Sequence, residues 1–98
     1  MYQLKIYQLA RDDIHQIIDY YDDTVPYLTD LFVSELFSDF ETIRKNAFLF
    51  QLKYRNTRVC YLKKFPFGIH YQINDAEKAI EILAVFHTSR NPKIWENR

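Results

Sequence analysis

Ninety-eight residues and 12.0 kDa suffice for a single domain, 1–98, that buries roughly two thirds of its unfolded surface. A hydrophobic fraction of 48%, with eight Phe, eight Tyr and one Trp, excludes a disordered chain, which lacks the apolar surface to offset conformational entropy. Net charge is zero, one glycine leaves no room for Gly-lined phosphate loops, and a single cysteine excludes an internal disulfide.

Tyr2 to Tyr7 alternates in part and is rich in strand formers, so it is read as a short opening strand. From Leu9 to Asp22, the apolar residues Ile14, Ile17, Ile18 and Tyr21 recur at helical spacing, with Asp12, Asp13, Gln16 and Asp19 on the other side. Thr24 is placed as an N-cap and Pro26 in the first turn of a second helix. Leu28, Leu31, Phe32, Leu36, Phe40 and Ile43 run down one face of that helix, which stops at Asn46. The two helices form a hairpin.

Beyond Asn46 the period changes to two. Gln51–Arg55 reads as a strand, Asn56–Thr57 as a tight turn, Arg58–Phe65 as a strand and Pro66–Gly68 as a turn. Ile69–Ile73 is the next strand, Asn74–Lys78 turns, and Ala79–Phe86 is apolar enough to be covered on both faces and lie centrally. The expected fold is α+β: an N-terminal strand, a helical hairpin, then four mostly antiparallel strands in one sheet with the hairpin on one face.

The zero net charge conceals a strong asymmetry. Residues 1 to 41 carry nine acids against Lys5 and Arg11, giving −7, whereas residues 42 to 74 carry Arg44, Lys45, Lys53, Arg55, Arg58, Lys63 and Lys64 with no acid, giving +7. Such segregation predicts a basic face shaped for an anionic partner. The acids of the front third read as solvated faces of amphipathic helices. Cys60 reads as a small strand filler, and a lone cysteine points to a reducing cytoplasm. No apolar run approaches the length of a membrane helix, and MYQLKIYQLARDD lacks the pattern of a signal peptide.

His15, His70 and His87 have no partner at metal-ligand spacing, so neither metal nor cofactor chemistry is expected. His70 reads as a polar residue on a strand face. His87 opens the run His87, Thr88, Ser89, Arg90, Asn91, Pro92, where the chain leaves the sheet and polar groups gather. Ser89 has no flanking glycines for a nucleophile elbow. Lys53-Tyr54-Arg55 and Tyr61-Leu62-Lys63-Lys64-Phe65 interleave cations with aromatics, which fits RNA binding and fits a half-buried strand equally well.

Three runs together carry a family resemblance: Lys53-Tyr54-Arg55, then Leu62 to Tyr71, then Ile82 to Pro92 with Trp95 and Arg98. Over nearly its whole length the chain resembles the RelE/ParE superfamily of bacterial toxins, also called plasmid stabilization proteins. The resemblance implies a toxin restrained by a cognate antitoxin whose flexible segment folds over it, as a toxin–antitoxin hetero-oligomer or beside a homodimer. RelE-like members cleave messenger RNA in the ribosome, whereas ParE-like members poison DNA gyrase without cutting RNA.

RNA cleavage needs a base, an acid for the leaving oxygen and cations on the phosphate. Arg90 matches the arginine after the last strand of RelE-like members, and Lys63 or Lys64 matches a strand lysine. Phe67 and Gly68 stand where a further arginine is expected, and Trp95 stands where a terminal tyrosine is expected, leaving His87 as the substitute proton carrier. The resemblance thus implies a ParE-like inhibitor acting by protein binding, with Arg90, Trp95, Arg98, Arg55 and Arg58 toward the target. The alternative is an endoribonuclease using His87, Arg90, Lys63 and Lys64, and a third reading is a toxin fold without toxicity.

Overall fold

The computed structural model describes residues 2–90 and Trp95. Its elements are β1 (Gln3–Ile6), α1 (Gln8–Thr24), α2 (Tyr27–Lys45), β2 (Leu52–Tyr54), β3 (Thr57–Tyr61), β4 (Phe67–Asn74) and β5 (Ala79–His87). They form one five-stranded sheet in the order β1-β5-β4-β3-β2, parallel between β1 and β5 and antiparallel elsewhere. This is the expected α+β architecture. β5 is an interior strand as expected, but the middle of the sheet is β4.

The helices cover one face of the sheet. Ile17 and Tyr21 of α1 and Phe32, Leu36, Phe40 and Ile43 of α2 are buried with Ile69, Tyr71, Ile80, Ile82 and Val85 of β4 and β5. Tyr21 meets the rings of Phe32, Phe65 and Phe67 at 5.9, 5.6 and 6.5 Å, mostly edge on, a geometry favoured by the ring quadrupoles. Leu31, expected on the buried face of α2, is exposed and lines an open groove between α2 and the β3–β4 loop.

Several boundaries differ from the sequence reading, each for a physical reason. Thr24 does not cap α2; it ends α1, where its hydroxyl donates to the Tyr20 carbonyl at 2.7 Å, and Pro26 precedes α2 without a side-chain cap. The β2–β3 turn is Arg55–Asn56, both at positive φ (38° and 61°), as a two-residue hairpin on a right-twisted ladder requires. Thr57 therefore belongs to β3. β3 stops at Tyr61, four residues early, because Glu35 of α2 accepts the backbone N–H groups of Lys63 and Lys64 and draws them out of the sheet.

Gly68 lies in β4, paired with Phe86 and with Tyr61, and not in a turn. A Cβ there would stand 2.9 Å from Val59 Cγ1 and 3.2 Å from Tyr61 Cδ1, so glycine provides the space for those side chains. Between His70 and Tyr71 the β4–β5 register shifts by one, with His70 opposite Ala84 and Tyr71 opposite Ile82, so Leu83 is an inserted residue. This bulge keeps Val85 and His87 on the same side of the sheet as Ile80 and Ile82.

Gly68→Ala should lower the unfolding free energy by about 1–2 kcal/mol, the overpacking cost less the chain-entropy gain of losing a glycine. An unchanged midpoint in urea unfolding would show that Val59 yields freely. Cys60 is buried, and desolvation, with the charges of Asp39 and Glu35, pushes its thiol up to about 12. It should therefore resist thiol reagents in native buffer and react only on unfolding, as read by absorbance.

Candidate functional site

The sheet ends in a groove of about 510 Å³ where α1 passes over the last residues of β5. Ile17, Tyr21, Phe67 and Val85 line its apolar part, and Tyr20, His87 and Arg90 line its exposed part. Adjacent tyrosines on α1 lie about 100° apart, which buries Tyr21 and leaves Tyr20 62% exposed. His87 reaches this groove only because the Leu83 bulge has reversed the parity of β5.

His87 Nδ1 accepts the backbone N–H of Ser89 at 3.0 Å and lies 2.7 Å from its hydroxyl. An accepting Nδ1 leaves the proton of the neutral ring on Nε2, so His87 presents a donor. The Arg90 backbone N–H donates to the His87 carbonyl at 3.0 Å, closing a tight turn, and its guanidinium stacks over Phe86 at 4.7 Å. Among the described residues Arg90 has no ion-pair partner.

The other residues singled out from the sequence lie elsewhere. Lys63 and Lys64 sit on the β3–β4 loop beside a second groove shared with Glu35 and Asp39 of α2. Arg58 is tied down: it donates to the Phe50 carbonyl at 2.6 Å and stacks over Phe48 at 5.2 Å. Arg55 occupies the β2–β3 turn. Arg44 pairs with Glu41 at 2.7 Å. The seven cations of the middle third thus sit on α2 (Arg44, Lys45), on the β2–β3 hairpin (Lys53, Arg55, Arg58) and on the β3–β4 loop (Lys63, Lys64). Arg98 lies outside the described residues.

Trp95 packs on the sheet face opposite the helices, with ring centroids 4.7 Å from His70 and 5.7 Å from Tyr54. His70, expected on a polar face, is 1% exposed beneath it, and Tyr54 Oη lies 2.9 Å from its Nδ1. Two further residues escaped the sequence reading because both stand among acids that resemble a solvated helix face. Asp13 is buried and accepts the Val85 N–H at 3.0 Å, three residues beyond the last β1–β5 pair, Ile6 with Ile82. Glu35 holds the β3–β4 loop. Their only sequence signal is that each falls within one helical turn of a core residue, Ile17 or Leu36.

Strand, helical hairpin and four-stranded continuation thus form one α+β fold with an arginine-bearing groove at the end of the sheet. Residues 4–92 match the family described as ParE toxin of type II toxin-antitoxin system, parDE. Toxin ParE2 of Mycobacterium tuberculosis is 34% identical over 98 aligned positions, covering 96% of this chain and 89% of that protein. A structure titled as the chromosomal ParDE TA system from P. aeruginosa superposes with a TM-score of 0.78 at 20% identity, over 91% of this chain and 98% of that one. The isolated E. coli RelE toxin superposes at 0.68 and 12% identity, over 99% and 95%, a likeness of fold alone. The chain belongs to the ParE family of toxins of type II toxin–antitoxin systems.

Asp39, beside the second groove, has a buried Oδ2 without a hydrogen-bond partner among the described residues. Desolvation, then the charge of Glu35, raises its carboxyl above the ordinary range against the pull of Lys63. With the folded value above the unfolded one, the native state binds more protons, so stability falls as pH rises from the ordinary carboxylate range through the raised one. Asp39→Asn should unfold at higher urea than the parent at pH 7, and the difference should vanish in acid where both side chains are neutral. Equal midpoints at both pH values would remove Asp39 as a source of strain.

Proposed function

We propose that this toxin acts by binding a protein target, DNA gyrase, and that a cognate antitoxin holds it in check. The observation that carries this reading is the separation of the four residues an RNA-cleaving mechanism requires. His87 and Arg90 share one groove, but Lys63 and Lys64 face a different groove across Pro66, next to Glu35 and Asp39. Within its own groove a phosphodiester in contact with His87 thus meets Arg90 without Lys63 or Lys64. An arginine stacked on an aromatic ring, with no carboxylate partner among the described residues, is by contrast the usual anchor of a protein interface. Membership of the ParE family of type II toxin–antitoxin toxins supports the antitoxin partner, and the gyrase target is what the resemblance of the sequence implies. Among the described residues no helix is long and apolar enough to cross a membrane.

Purified protein assayed in parallel should inhibit gyrase supercoiling and leave ribosome-bound messenger RNA intact. Arg90→Ala should weaken inhibition by about tenfold or more, whereas Lys63→Ala should leave it close to the parent. Cleavage without inhibition would establish the RelE-like alternative, and neither activity would leave a toxin fold without toxicity.

A further inference from the structure

We propose that the groove at the end of the sheet is a binding site for a protein chain end, taking an apolar C-terminal side chain on its floor and the terminal carboxylate on His87 and Arg90. The floor is formed by Ile17, Tyr21, Phe67 and Val85, and with Tyr20 exposed at the margin it offers apolar contact to a side chain of ordinary size. The exposed part of the lining carries two donors for one anion. Ser89 holds His87 in the tautomer that bears its proton on Nε2, and Arg90 is stacked on Phe86 with no carboxylate partner among the described residues. Both are supplied by one turn of chain, His87 to Arg90, braced by its own backbone hydrogen bond. Two fixed donors and an adjoining apolar floor are complementary to a carboxylate attached to an apolar residue.

Charge distinguishes this occupant from a nucleic acid. The facing wall is α1, which carries Asp12, Asp13, Asp19, Asp22 and Asp23 against Arg11 alone, and Asp13 itself lines the groove. A polyanion extending along α1 meets repeated like-charge repulsion, whereas a single terminal carboxylate at the rim meets His87 and Arg90, with the Asp13 carboxylate already engaged by the Val85 N–H. The proposal rests on the protein-binding reading above. Its measurement is peptide binding, independent of supercoiling, so either can fail alone.

The test titrates the full chain, isotopically labelled, with acetyl-Ala-Ala-Leu bearing a free C-terminus, with the same peptide amidated, and with adenosine monophosphate. The free acid should shift the His87 ring and Arg90 side-chain resonances saturably at millimolar concentration, and amidation should weaken binding about tenfold, the loss of a charged hydrogen-bond acceptor. Arg90→Ala and His87→Ala should each weaken the free acid and leave the amide nearly unaffected, with amide dispersion confirming that both variants fold. Equal binding of acid and amide, tighter binding of the nucleotide, or no saturable shift would each overturn the assignment.

Discussion

The inserted Leu83 in β5 is the constraint on which the arrangement of this molecule depends. Side chains alternate across a strand, so one extra residue exchanges the two faces for everything beyond it. Without it, Ala84 and Phe86 would continue the helix-facing row of Ile80 and Ile82, and His87 would emerge on the opposite face. With it, Val85 joins the core, Phe86 becomes the platform for Arg90, and His87 enters the groove beneath α1.

Two helical carboxylates complete what the ladders leave undone. β1 is too short to pair with the far half of β5, and Asp13 supplies an acceptor to the Val85 N–H in its place. β3 and β4 are joined by a loop whose N–H groups would otherwise face solvent or lie unpaired, and Glu35 accepts two of them. A buried N–H left without an acceptor costs about 1–3 kcal/mol, so Asp13 contributes more as a backbone partner than as surface charge, whereas the exposed bonds of Glu35 mainly fix the course of the loop. The Glu35 contact also ties the loop of Lys63 and Lys64 to the acidic helix α2.

The two sides of the sheet consequently have different characters. The helix side ends in a groove with an arginine that has no ion-pair partner among the described residues, the feature that the protein-binding reading uses. The other side is sealed locally by Trp95 over His70 and Tyr54, which turns a strand histidine into a core residue and turns the terminal tryptophan inward. The tryptophan that replaces the expected tyrosine therefore has a structural occupation in this chain.

The order and type of the seven elements were legible because they rest on local periods: helical spacing through Ile17, Tyr21, Phe32, Leu36, Phe40 and Ile43, then alternation from Leu52 onward. Arg90 was legible as a candidate because it follows the last strand. The role of Asp13 was not, since a carboxylate that accepts a backbone N–H and one that faces water look alike in a helical pattern. Nor was the burial of His70, which depends on a tryptophan 25 positions away. By itself the sequence determined which segments would be helix and strand, because that choice is made between neighbours. Only the tertiary structure decided which face each strand residue occupies and which cations stay free, because a bulge and a borrowed carboxylate exist only once distant segments have met.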